Sequence, residues 1–558
     1  AAASLGQPEE MPKFPRKRAV ARARGVEDLA AQNPVTPATS APGRAGQRSG
    51  VGAVPQPIVG IGGPTAPSPT VNFEGIDRTD SPANLFIPPD TTGAAGARFY
   101  LQMVNVTFAV YDKAGAKLLG PLPQATVWAG FGGPCETTEG GDSVVLYDRY
   151  ADRFLFTKLA YPTGVAIGPF YQCIAVSVTD DPRGAWNRYS FIISETKFND
   201  YPKFGIWPDG YYYTANQYAD VGTASEHIAG VAAGVFERDK MLLGLPARLV
   251  LFDTLPLGED VFAMLPGDAD GPILPPAGSP NYFVNMKNEV LDDHDTTRPL
   301  PAAQVWRFHV DWRNPSSSSF DGPNEIETMA FNPFFNGAQC SDPGAIAPEL
   351  CVPQPPATGG TCTPATCVSD QKLDSIPDRL LFRLQYRHGF NSAIGEYESL
   401  VSNHTVNVGG DTNRAGIHWL QLIQTPNASW NLYQDGIYAP EDGNSRWMAS
   451  IGMDESENIA LGYSVSSPTL FPSIRYTGRK WDDPLGKLLQ AETTLVAGAG
   501  SQGHPAGRWG DYSAMVIDPL DDCTFWYTNE YGKVTSRSNW ATRAGAFHFD
   551  TCGVRNTH

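Results

Sequence analysis

Short runs of mostly apolar residues, often alternating with polar ones, fill the chain from about residue 70 onward and are separated by Asp, Gly and Pro. Such alternation marks β-strands with one buried face, and an Asp-centred turn between two runs marks a hairpin. The clearest copy spans 508–531, R-W-G-D-Y-S-A-M-V-I-D-P-L-D-D-C-T-F-W-Y-T-N-E-Y. A carboxylate beside small or aromatic residues opens it, an apolar run follows, the chain turns at an Asp, and an aromatic cluster returns. Looser copies start at Gly141 and Asp142, at Asp200 and Tyr201, and at Arg446 and Trp447, turning at Asp148, Asp209 and Asp454. Hairpins recurring every 55–85 residues predict a radial array of small sheets.

The pattern therefore predicts an all-β chain, a seven-bladed β-propeller over 58–558, with an extended N-terminal arm at 1–57 and a disulfide-stapled loop insertion at 313–368. Blades open near Asp90, Asp142, Asp200, Phe252, Asp374, Arg446 and Trp509; six or eight blades fit the same spacing. The fourth blade is the least regular, with strands expected at Phe252, 281–284 and 305–312. Residues 1–57 are rich in Pro, Ala, Gly and Ser without hydrophobic periodicity and cannot bury enough apolar surface to order themselves.

Charge sharpens that division. The net charge is −18, yet residues 1–60 hold eight Lys/Arg against four Asp/Glu, which leaves −22 on the remainder. A basic arm beside an acidic body predicts docking of the arm on its own propeller or on a neighbouring subunit, as a homo-oligomer or filament. An acidic body also argues against nucleic acid, whose phosphates are bound by Lys and Arg. No apolar run approaches the roughly 18 residues a membrane span needs.

Eight cysteines without metal-type spacing favour disulfides and an oxidising compartment. Proximity selects Cys135–Cys173, Cys340–Cys351, Cys362–Cys367 and Cys523–Cys552. The start Ala1-Ala2-Ala3-Ser4 suits a mature end left by small-residue cleavage, so export is expected.

No G-x-S-x-G, H-E-x-x-H, P-loop or dinucleotide fingerprint occurs. Topology supplies the candidates instead, because the residues that open each repeat converge on the mouth of a propeller's channel. They are Asp90, Asp142, Asp200, Tyr201, Lys203, Asp374, Arg446, Trp447, Trp509, Asp511 and Tyr512. Carboxylates, cations and aromatic rings in one funnel suit a sugar or a cation; the plainer reading is that these Asp residues cap turns. Asp268 and Asp270, in G-D-A-D-G, form a weak structural-calcium candidate that lacks the distal Glu of an EF-hand loop. No other cofactor is indicated.

Three stretches carry a resemblance: D-Y-P-K-F-G-I-W-P-D-G-Y-Y at 200–212, G-D-S-V-V-L-Y-D-R at 141–149 and R-W-G-D-Y-S at 508–513. Across about 80–552 the chain resembles a family of exported, uncharacterised bacterial proteins similar to sialidase-type (BNR-like) propellers. The resemblance implies the fold and a secreted or cell-surface place in a bacterium, without an activity. Sialidases carry S-x-D-x-G-x-T-W boxes and an arginine triad; this chain has no such box, and Arg383, Arg387, Arg446, Arg475 and Arg508 show no triad pattern. The sequence thus predicts a non-catalytic binding or assembly module for a surface glycan, a protein or its own copies, with an exo-acting, sialidase-like glycosidase at the channel mouth as the alternative.

Overall fold

The computed structural model describes residues 63–553, apart from 81–85, 163–167, 224, 258–260, 288–300, 334, 343–347 and 378. The arm expected at 1–57 lies outside the described residues.

Antiparallel hairpins account for nearly all regular structure. Sheet A comprises Thr92–Ala95, Phe99–Val104, Thr107–Asp112 and Lys117–Pro123, and sheet B comprises Val145–Asp148, Arg153–Ala160, Phe170–Ser177 and Trp186–Ser194. Sheet C comprises Phe198–Trp207, Gly210–Ala219, His227–Phe236 and Leu249–Asp253. Sheet D has eight strands in two antiparallel halves: Leu265–Asp270, Asn281–Lys287, Ala302–His309 and Ser319–Glu327, then Leu384–Asn391, Gly395–Asn407, Ala415–Gln424 and Asn431–Tyr438. A parallel pairing, Gly267↔Leu384 to Asp270↔Arg387, joins the halves. Sheet E comprises Ser445–Met453, Ile459–Ser467, Leu470–Arg479 and Thr493–Val496. Sheet F takes Ala514–Ile517, Phe525–Gly532 and Trp540–Phe547 from the end of the chain and its outer strand, Val71–Asp77, from the beginning.

The strand faces explain the stacking. Phe108, Phe154 and Phe156 fill the space between A and B, and Leu155, Phe204 and Phe236 that between B and C. Tyr212, Phe283, Trp306 and Leu400 join C to both halves of D, while Trp419, Ile451 and Leu461 join D to E. Tyr476 stacks on Phe547 between E and F, and Tyr100 stacks on Trp526 between F and A. The packing therefore passes from A through F and returns to A, a propeller-like, all-β arrangement. First strands approach closely along the middle: a Cβ on Gly205 would lie 2.3 Å from the carbonyl oxygen of Gly267, so only glycine fits there.

Two segments differ from the expected layout. Leu249–Asp253, expected to open the fourth blade, is the outer strand of sheet C, and Ser319–Glu327, inside the expected insertion, is the outer strand of sheet D's first half. The remaining insert pairs Leu350–Val352 with Leu373–Asp374 and lies over the turn leading into sheet F, where Gln354 Nε2 donates to the Gln502 carbonyl at 2.7 Å and Ser501 Oγ to the Pro355 carbonyl at 2.7 Å. The disulfides are Cys135–Cys173, Cys340–Cys351, Cys362–Cys367 and Cys523–Cys552. Among the described residues no helix is long and apolar enough to cross a membrane.

Candidate functional site

One backbone device recurs at the head of the first strands. Asp90, Asp142, Tyr201, Ala263, Ile376 and Met448 have φ between +39° and +55°, the left-handed region that side chains other than glycine avoid. In sheets C and E the turn is accompanied by a register shift, at Asp200/Lys203 and Trp447/Ser450. Strain of this kind persists only where surrounding bonds hold it.

Those bonds are present. Tyr201 N–H donates to Asp142 Oδ2 at 3.2 Å, and Asp142 N–H donates to Asn105 Oδ1 at 3.0 Å. The turn at 509–512 is fixed by two carboxylates distant in sequence, Gly510 N–H donating to Glu530 at 2.9 Å and Asp511 N–H to Asp90, just ahead of Thr92–Ala95, at 3.0 Å. Asn105 Nδ2 supports Asp90 from behind at 2.7 Å. Arg508 bridges Asp511 and Asp374, with Nε 3.3 Å from Asp374 Oδ2.

Lys203 occupies the centre. Its Nζ lies 2.9 Å from the Tyr201 ring centroid and 3.8 Å from that of Tyr512, a cation held between two π faces. Tyr512 O–H donates to the Pro202 carbonyl at 3.0 Å, and the Arg379 guanidinium lies against the rings of Tyr201 and Phe262 at 5.3 and 4.9 Å. Phe382 packs on Tyr512 at 6.2 Å, so aromatic side chains occupy the space beneath the polar layer.

This layer buries six carboxyl groups, those of Asp90, Asp142, Asp200, Asp374, Asp511 and Glu530, with three cations, Lys203, Arg379 and Arg508. Desolvation of that acid excess raises the pKa of Asp511, against the pull of Arg508, and pushes Glu530 well above the usual carboxylate range. Burial also drives Lys203 well below the ordinary lysine value, although Asp142 and Asp511 oppose the shift. Asp511 is the most exposed of the nine, at 9%.

The sequence-derived candidates therefore divide. Asp90, Asp142, Asp200, Tyr201, Lys203, Asp374, Asp511 and Tyr512 belong to this layer. Trp447 and Trp509 lie in an adjoining apolar cluster with ring centroids 5.9 Å apart. Arg446 lies elsewhere. The bulge after Trp447 gives the entry position to Met448, and Arg446 instead joins Asp442 and Glu492 beside a cavity of about 250 Å³ between sheets D and E. Asp268 and Asp270 are on a strand rather than a calcium loop; two residues apart, they share a face and both accept from Arg383, at 2.7 and 2.6 Å. Among the described residues the two clusters with three metal-type side chains each contain a disulfide-bonded cysteine pair, Cys340–Cys351 and Cys523–Cys552.

Sequence reasoning missed Arg379, Glu530 and Asn105 as members of this layer. Arg508 was visible in R-W-G-D-Y, where a spacing of three from Asp511 could have marked it as that residue's partner.

No protein-family model matches the sequence, and no curated protein matches it. Among solved structures, the chain is similar to a Trypanosoma rangeli sialidase in complex with the inhibitor DANA, at 8% identity and a TM-score of 0.31, over 73% of this chain and 54% of that one. It thus spans about half the length of that sialidase. A Penicillium chrysogenum α-L-arabinanase complexed with arabinobiose matches at 9% identity and a TM-score of 0.31, over 86% of this chain and 99% of that one. An exo-β-1,3-galactanase from Phanerochaete chrysosporium matches at 7% identity and a TM-score of 0.27, over 85% and 96%. Likeness at this level leaves the chemistry to the chain's own residues.

Proposed function

We propose that the chain is a closed seven-bladed β-propeller, the halves of sheet D being separate blades, that works as a non-catalytic binding or assembly module on a bacterial cell surface or in extracellular material. One observation carries this reading. Every charged group of this layer is buried, and the Lys203 ammonium is packed between the rings of Tyr201 and Tyr512, which leaves no open space between them. A glycosidase needs two carboxyl groups roughly 5–10 Å apart across open space, with room for a sugar or a water between them. Here the carboxyls hold backbone N–H groups and cations of the same layer. Four disulfides and no free cysteine among the described residues support an oxidising destination.

An exo-acting, sialidase-like glycosidase is the second reading. Burial raises Asp511 and Glu530, the direction a general acid requires. A panel of aryl glycosides separates the two readings: the module releases no sugar, whereas turnover abolished by Asp142→Asn or Asp511→Asn would establish the glycosidase. The arm at 1–57 enters the proposal as the connector between copies. Light scattering on full-length and truncated chains tests it; assembly that survives the truncation removes that role.

A further inference from the structure

Residues 63–66 lie along the flank of sheet E. Ala491 N–H donates to the Pro64 carbonyl at 2.9 Å, Ala66 N–H donates to the Ala491 carbonyl at 2.8 Å, and Thr65 and Ala491 form a parallel bridge. Thr493 Oγ1 adds a bond to the Ala66 carbonyl at 2.6 Å. A Cβ on Gly63 would lie 1.8 Å from the Leu489 carbonyl oxygen, so Gly63 is pressed against Leu489. Because the two stretches run parallel, the chain before Gly63 is directed along the residues before Leu489.

Those residues, 481–489, form a loop tied down along its length. Trp481 N–H donates to Asn458 Oδ1 at 2.9 Å, Gly486 N–H to Gln434 Oε1 at 3.0 Å, and Gln490 N–H to the Gly478 carbonyl at 3.0 Å. The loop nevertheless presents two large apolar side chains to solvent, Trp481 at 38% exposure and Leu485 at 51%. The segment directed along it, 54–62, reads V-P-Q-P-I-V-G-I-G and lies within an uncharged stretch at 49–73. Ile58, Val59 and Ile61 supply apolar contacts, and the rings of Pro55 and Pro57 lower the entropy lost on docking. The loop spans at most about 29 Å between residues 481 and 489, and nine residues reach that far. A segment already tethered at Gly63 also docks without the translational cost that a separate partner meets.

We infer that residues 54–62 dock on the loop at 481–489 of their own propeller, with Ile58, Val59 and Ile61 covering Leu485 and Trp481. The docking does not depend on whether the arm upstream connects copies, nor on the module reading. Disulfide trapping in the full-length chain tests it. The eight native cysteines are paired, so introduced thiols alone react. Counting back equally from Gly63 and Leu489 sets Gln56 beside Asp482, an exposed residue, so Gln56→Cys is combined with Asp482→Cys and, to allow for a shifted register, with the exposed Lys487→Cys. On mild oxidation of a dilute sample, mass mapping finds a link within one chain in at least one pair. Because a tether alone keeps position 56 near the loop, the deciding comparison adds charge to the apolar contacts. Ile58→Asp with Ile61→Asp slows the link at least about tenfold, and so does Leu485→Asp, a change at an exposed site whose fold is checked by far-UV circular dichroism. Absence of a link in both pairs overturns the inference, as does a link between two chains or a rate that neither set of Asp substitutions changes.

Discussion

Replacing Lys203 by Met keeps the length of the side chain and removes the one cation held between Tyr201 and Tyr512. The ammonium lies 2.9 and 3.8 Å from the two ring centroids, contacts that contribute about 2 kcal/mol or more when desolvated. It also compensates Asp142, Asp511 and Asp200, which remain buried after the change. Removing one partner from a buried charge set costs about 3–5 kcal/mol, because the remaining charges are left uncompensated. Burial of the amine itself works in the opposite direction, so a net loss of about 3 kcal/mol is expected, near the lower bound. Paired urea unfolding curves measure it. Lys480→Met is the control, since Lys480 pairs with the exposed Asp550 at 2.6 Å and its loss costs less than about 1 kcal/mol. A Lys203→Met protein as stable as the parent would refute the reasoning, because the mouth would then hold together without its central cation.

The same curves test two further expectations. His404 is buried, bonded to His418 at 2.8 Å, and held well below the ordinary histidine value by burial and then by His418. Below about pH 6.5 the unfolded chain takes up a proton that the native residue refuses, so stability falls with pH by at most about 1.4 kcal/mol per unit from this group. His404→Gln flattens that slope between pH 7.5 and 5.5; parallel slopes would remove His404 as its cause. The Cys523–Cys552 bond closes a segment with a sequence separation of 29, so Cys523→Ala/Cys552→Ala costs about 2–4 kcal/mol. Mass mapping without reduction should recover the four pairs with no free thiol, and an unmodified Cys523 in the native protein would contradict the pairing.

Much of the layout was legible because each first strand announces itself locally. An Asp or aromatic entry, an apolar run and an Asp turn are fixed by strand and turn chemistry alone, and they located Asp90, Asp142, Tyr201 and Tyr512. Arg446 and Trp447 misled because a bulge changes which residue faces the axis, and the pattern around Trp447 resembles the pattern around Trp509. Asp268 and Asp270 misled for a related reason: D-x-D reads as a cation loop, whereas on a strand the same spacing puts both side chains on one face toward Arg383. Outer strands such as Leu249–Asp253 are only partly buried, so their alternation is weak and their sheet cannot be assigned from pattern. Arg379 and Glu530 reach the mouth from an irregular stretch and from a second strand, positions no local signal connects to the axis.

The central claim is that the mouth is a closed, self-bonded layer rather than a site that admits substrate, and amine labelling of the native protein at neutral pH tests it most directly. Burial lowers the Lys203 pKa, so protonation shields its amine no more than that of an ordinary surface lysine. With an N-hydroxysuccinimide acetate at limiting time, the half-exposed Lys533 is acetylated while Lys203 is recovered unmodified until urea opens the fold. Rapid acetylation of Lys203 in the folded chain would mean that the axis is open, and the closed-mouth account would be wrong.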